Sequence, residues 1–117
     1  MSKSSPSIFS KIVAREIPAD IVWESDRVIV FRDIAPQAPL HLLVVPKTEE
    51  YENVVELAAG DPGLLAEMVD AARVVASEHA EGQFRLVFNN GAAAGQTVFH
   101  VHGHILAGGL EEGRLVG

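Results

Sequence analysis

Thr97-Val98-Phe99-His100-Val101-His102-Gly103-His104-Ile105-Leu106-Ala107 is the stretch that decides the fold and, with it, the chemistry. It holds three of the five histidines at two-residue spacing, set among apolar residues. Side chains alternate between the two faces of a β-strand. The spacing therefore predicts a strand over 97–107, with His100, His102 and His104 on one face and Val101, Gly103 and Ile105 on the other. Histidine is the side chain whose ordinary pKa lies nearest neutrality. A row of three supplies a nucleophile, a proton donor and an orienting partner, or else a set of metal ligands. A lone histidine on a strand is usually a solvated polar residue; three in alternation beside a glycine-rich loop point to chemistry.

The loop before this strand, Asn89-Asn90-Gly91-Ala92-Ala93-Ala94-Gly95-Gln96-Thr97, has almost no side-chain bulk. A ligand can approach such a backbone closely, and Asn89, Gln96 and Thr97 place polar groups at its ends. By itself it reads as an ordinary hairpin loop; beside the histidines it reads as a phosphate-holding one. Further upstream, Asp33 follows a strand-like run and precedes Ile34-Ala35-Pro36-Gln37-Ala38-Pro39. A carboxylate so placed can accept from a ribose diol or bond its own backbone in a turn. His41 opens an apolar strand and reaches the other histidines only through the fold.

Working outward, Ser7 caps a short helix with Ile8, Phe9, Ile12 and Val13 on one stripe, ended by Pro18. Residues 21–24 and 27–32 read as strands around a turn at Glu24-Ser25-Asp26, and His41 to Pro46 as a third. Asp61-Pro62-Gly63 opens a helix to about Ala80, whose apolar face carries Leu64, Leu65, Met68, Val69, Ala72, Val75 and Ala76. Phe84 to Asn89 is a fourth strand. The order predicts an α+β fold, an antiparallel sheet with helices on one face. Residues 1–6 read as a mobile arm, 7–109 as the domain and 110–117 as a tail.

At 117 residues the chain suits one domain. It has no cysteine, which excludes disulfides, thiolate zinc sites and a cysteine nucleophile. No apolar run approaches the roughly 20 residues of a membrane helix, and no secretory signal is legible at the start. These features fit a cytoplasmic protein. The net charge of −7 argues against nucleic-acid binding, which needs a basic face, but allows a small phosphate pocket.

His100-Val101-His102-Gly103-His104-Ile105-Leu106 resembles the motif of the histidine triad family. Phe31 to Lys47, with Asp33-Ile34, Pro36-Gln37-Ala38-Pro39 and His41, resembles the Hint branch of that family, as does Gly95-Gln96-Thr97-Val98-Phe99-His100. The resemblance runs from about Ile8 to Gly109. It implies a five-stranded antiparallel sheet with two helices, and a homodimer whose sheets join. It implies a purine nucleotide ligand such as AMP or GMP, and hydrolysis of nucleoside phosphoramidates or aminoacyl adenylates at the α-phosphorus. In that reading His102 is the nucleophile and forms a nucleotidyl-histidine. His104 contacts the phosphate and helps protonate the leaving group, while His100 and His41 orient the set. Asp33 binds the ribose. Asn89, Gly95, Gln96 and Thr97 line the phosphate and leaving-group site, and Ile8, Phe9, Ile12 and Ile34 wall the base. No cofactor is required; zinc on the histidines is the alternative that is not expected. A dinucleoside polyphosphate hydrolase and a nucleotide-binding adaptor with little turnover are the competing functions. The chain departs from the Hint pattern at Gly103, where an apolar side chain is usual, at Asn90, where an acidic residue is common, and in a tail without tryptophan.

Overall fold

A computed structural model describes residues 6–114. Residues 1–5 of the expected arm and 115–117 of the expected tail lie outside the described residues. Helix α1 spans Ile8–Val13, and Ser7 caps it by accepting from the Ser10 N–H. The sequence puts the stop at Pro18, but the helix ends earlier. Arg15 takes a left-handed φ of +64. Its N–H bonds the Ile12 carbonyl and the Glu16 N–H bonds the Lys11 carbonyl, the paired bonds of a Schellman stop. That position usually takes glycine, so nothing in the sequence marks it.

Strands β1 (Ile21–Glu24), β2 (Val28–Arg32) and β3 (Leu40–Pro46) follow, then helices α2 (Val54–Gly60) and α3 (Pro62–His79), then β4 (Arg85–Val87) and β5 (Gly103–Ala107). They make the expected five-stranded antiparallel sheet, in the order β1-β2-β3-β5-β4. Asp61 caps α3 by accepting from the Leu64 N–H, with Pro62 in the first turn, where a missing N–H costs nothing. α2 has no counterpart in the sequence reading. Its seven residues bury only Leu57, too little for a helical stripe.

The helices lie on both faces of the sheet, which corrects the expectation of one. Val28, Val30, Leu42, Val44 and Ile105 pack with Leu57, Leu64, Met68 and Val75 of α2 and α3. Ile29, Phe31, Leu43 and Val45 point the other way and pack with Phe9 and Ile12 of α1. The physical sign was present: β2 and β3 are continuous apolar runs, as strands covered on both sides are.

The histidine strand is also shorter than expected. β5 starts at Gly103, and His100 and His102 precede it. The Val101 N–H is bonded by the carbonyl of Tyr51, in the segment leading into α2, which draws this length of chain away from the ladder. Gly103 itself is explained by packing. A Cβ there would lie 2.9 Å from Phe88 Cζ and 3.0 Å from Leu86 Cδ1, so the β4 side fills the space an apolar residue would take.

Candidate active site

Alternation along β3 puts His41 on the α1 face beside Leu43 and Val45. Leu43 sits opposite His104 and His41 opposite Leu106, so the two histidines are diagonal neighbours on one face. His41 Nε2 lies 2.9 Å from His104 Nδ1. His102 and His104 have ring centroids 5.2 Å apart, and Phe9 meets the edges of His100 and His102 at 5.7 and 4.9 Å. All four predicted histidines are thus gathered beneath α1.

Their backbone partners fix where the protons sit in the neutral rings. His102 Nδ1 is 2.9 Å from the His100 carbonyl, which only accepts, so Nδ1 carries the hydrogen and Nε2 keeps a bare lone pair. His100 Nε2 donates to the Pro46 carbonyl at 2.7 Å, and its Nδ1 faces the Ser7 hydroxyl at 2.6 Å. His41 Nδ1 accepts from the Gln37 N–H at 2.9 Å, so its hydrogen is on Nε2 and is given to His104. His104 then carries its own hydrogen on Nε2.

Burial favours the neutral forms of His104, His102 and His41. It pushes His104 down to about 4, helped by repulsion from His102 and His41 and opposed by the Asp33 carboxylate. Burial also lowers His102, against the His100 carbonyl and Asp33, and lowers His41, against Asp33. His104 is therefore a neutral donor at neutral pH in the free protein.

Asp33 bonds its own backbone and also faces a histidine. Oδ1 accepts from the Ala35 N–H at 2.8 Å in a turn, and Oδ2 lies 3.4 Å from His41 Nε2. Ile34 beside it is 96% exposed and Ile8 47%, whereas Phe9 and Ile12 are buried in the α1 core. Only the first two thus stand open to a ligand; Phe9 acts through the rings it supports. Thr97 and Gly95 are exposed on the loop, and Asn89 is half-buried near Gly95. Gln96 differs from the expectation of a phosphate-lining group. It is 3% exposed; its amide nitrogen donates to the carbonyls of Glu52 and Val98, and its oxygen accepts from the Gly91 N–H. Its side chain staples the small-residue loop to the start of α2.

Asp33, His41 and His104 bring one ligand atom each within 4.8 Å of one another. A metal bound to His41 Nε2 requires the ring hydrogen on Nδ1. Nδ1 faces a donor, the Gln37 N–H, at 2.9 Å. The three residues do not fit a metal unless that bond is broken.

Four partners of the site escaped the sequence reading: the Ser7 hydroxyl, the Gln37 N–H, and the carbonyls of Pro46 and Tyr51. Ser7 was legible as a cap, but its contact with His100 spans 93 residues and leaves no local signal.

Residues 6–115 match the family described as scavenger mRNA decapping enzyme C-term binding. An uncharacterized HIT-like protein of Synechocystis is 50% identical over 106 residues, 87% of this chain and 90% of that protein. The purine nucleoside phosphoramidase of Escherichia coli is 42% identical over 104 residues, 87% of each. A HIT family hydrolase from Clostridium thermocellum superposes with a TM-score of 0.86 at 41% identity, covering 98% of this chain and all of that one. The histidine cluster and these likenesses agree: the chain belongs to the histidine triad (HIT) family, in its Hint-like branch.

Proposed function

We propose that this protein hydrolyses purine nucleoside 5′-phosphoramidates, or related aminoacyl adenylates, at the α-phosphorus through a nucleotidyl-histidine. The observation that carries the reading is the bare Nε2 of His102, whose other nitrogen is held by the chain's own carbonyl. Such a ring is poised to attack with no prior loss of a proton. Nε2 bonds to phosphorus and the P–N bond breaks. The leaving nitrogen takes a proton that solvent supplies through His104 Nε2, so the imidazole ends neutral and the amine departs. Water then attacks the phosphorus and gives up a proton to solvent as the bond from phosphorus to His102 Nε2 breaks, which releases the nucleotide and returns His102 to its starting form. His104 also donates toward the phosphate oxygens, where charge grows. Asp33 takes the ribose hydroxyls, Ile8 and Ile34 the base, and Asn89, Gly95 and Thr97 the phosphate side.

The phosphoramidase likeness supports this substrate class. No metal has a step in it. The proposal includes a homodimer, for which an edge strand of the sheet, β1 or β4, is available. The test is steady-state hydrolysis of a fluorogenic adenosine 5′-phosphoramidate by wild type and His102→Ala, with and without chelator. Chelator-insensitive turnover that collapses in the variant is expected. AMP binding without any wild-type turnover would overturn the reading in favour of a binding protein.

A further inference from the structure

Ser7 makes four contacts. Its N–H donates to Glu49 Oε1 at 3.0 Å, its Oγ accepts from the Ser10 N–H at 3.0 Å and lies 3.4 Å from Ser10 Oγ, and its hydroxyl meets His100 Nδ1 at 2.6 Å, the shorter of its two hydroxyl contacts. The direction of the last bond follows from the far side of the ring. His100 Nε2 faces a carbonyl at 2.7 Å, so the hydrogen is there, and Nδ1 of the neutral ring can only accept. His100 is fully buried, and the half-buried Ser7 hydroxyl is the group 2.6 Å from its Nδ1. The His100 carbonyl, in turn, is the group that holds His102 Nδ1 at 2.9 Å. Phe9, two residues into the chain from Ser7, packs on the edges of both rings.

We propose that Ser7 is a positioning residue of the histidine site: its donated hydroxyl hydrogen holds His100 as the Nε2–H tautomer, and so keeps His102 aimed with Nε2 bare. The inference rests on the reading of His102 as nucleophile for its kinetic consequence, but its tautomer consequence is independent of any turnover. The cap of α1 and the alignment of the nucleophile are then one contact, so that the helix cannot leave the sheet without releasing the triad.

Three substitutions separate this role from plain helix capping. Ser7→Thr keeps both the cap and the donor. Ser7→Asp keeps a cap of equal rank but has no hydrogen to give, since a carboxylate only accepts. Ser7→Ala loses both. The readouts are the imidazole nitrogen shifts of His100 in 15N-labelled protein, the melting temperature, and kcat and KM for the adenosine phosphoramidate. Thr should match wild type in all of them. Asp should keep the melting temperature near wild type, shift His100 away from the Nε2–H tautomer, and lower kcat about tenfold with little change in KM, the size of one lost orienting hydrogen bond. An Asp or Ala variant that keeps both the wild-type His100 shifts and wild-type kcat would overturn the proposal. A wild type without turnover would sink the phosphoramidate reading, and the nitrogen shifts alone would then decide the role of Ser7.

Discussion

His41 and His104 stand 63 residues apart in the chain, and His41 Nε2 donates to His104 Nδ1 over 2.9 Å. The direction is set from behind, where the Gln37 N–H occupies the other nitrogen of His41. A backbone amide in the Pro36–Pro39 loop thereby decides which nitrogen of His104 carries a hydrogen. It is Nε2, the one left to face a substrate.

The same amide bears on metal binding. Because it blocks the tautomer that a metal on His41 needs, zinc should bind far below one equivalent at micromolar concentration. Equilibrium dialysis with elemental analysis checks this, and one zinc per chain lost on His41→Ala would contradict it.

Acid should weaken the fold through the histidines. In the unfolded chain His104 takes a proton near its ordinary 6.5, but in the folded protein only near 4. Between those values the unfolded state holds more protons, so stability is complete above pH 6.5 and is lost as pH falls toward 4. His41 and His102 act in the same direction. The melting temperature at pH 5 should lie about 5 °C or more below that at pH 7.5, given the usual response of a domain this size. His104→Asn should reduce that difference; an unchanged difference would show that these rings are not its source.

Gly103→Ala should destabilise despite the entropic gain of losing a strand glycine. Its Cβ would meet Phe88 Cζ at 2.9 Å and Leu86 Cδ1 at 3.0 Å. Overpacking of this kind costs about 1–3 kcal/mol, against roughly 0.5–1 kcal/mol gained. Urea unfolding of Gly103→Ala, Phe88→Leu and the double variant should give a coupling in which the smaller side chain relieves the larger. Simple additivity would mean the ring is not what excludes a side chain.

Gln96→Glu tests the staple. The substitution replaces a donor to two carbonyls with an acceptor, in a residue that is 3% exposed. A loss of about 2 kcal/mol at neutral pH is expected, the cost of leaving buried polar groups without partners. The loss should shrink at acid pH, as a protonated carboxyl recovers one donor. Wild-type stability at pH 7.5 would place Gln96 outside the loop's support.

The sequence alone determined much of this protein. The two-residue spacing of the histidines, the apolar runs of β2 and β3, and the Asp61-Pro62 start of α3 are local signals. A strand's period and a helix's cap are set by neighbouring residues, and so they are legible without a fold. The family motifs added His41 and Asp33 to the set. Tertiary structure decided the rest. It placed α1 on the opposite face from α2 and α3, because the side a helix takes depends on which surface remains open. It delayed the start of the histidine strand to Gly103, because the carbonyl of a distant tyrosine claimed the Val101 N–H. It turned Gln96 inward, and it set the protons of His100, His104 and His41 through partners 93, 54, 63 and 4 residues away, with that of His102 held by the His100 carbonyl two residues back. Tautomers are chosen by what faces a nitrogen in space, and no spacing along the chain encodes that.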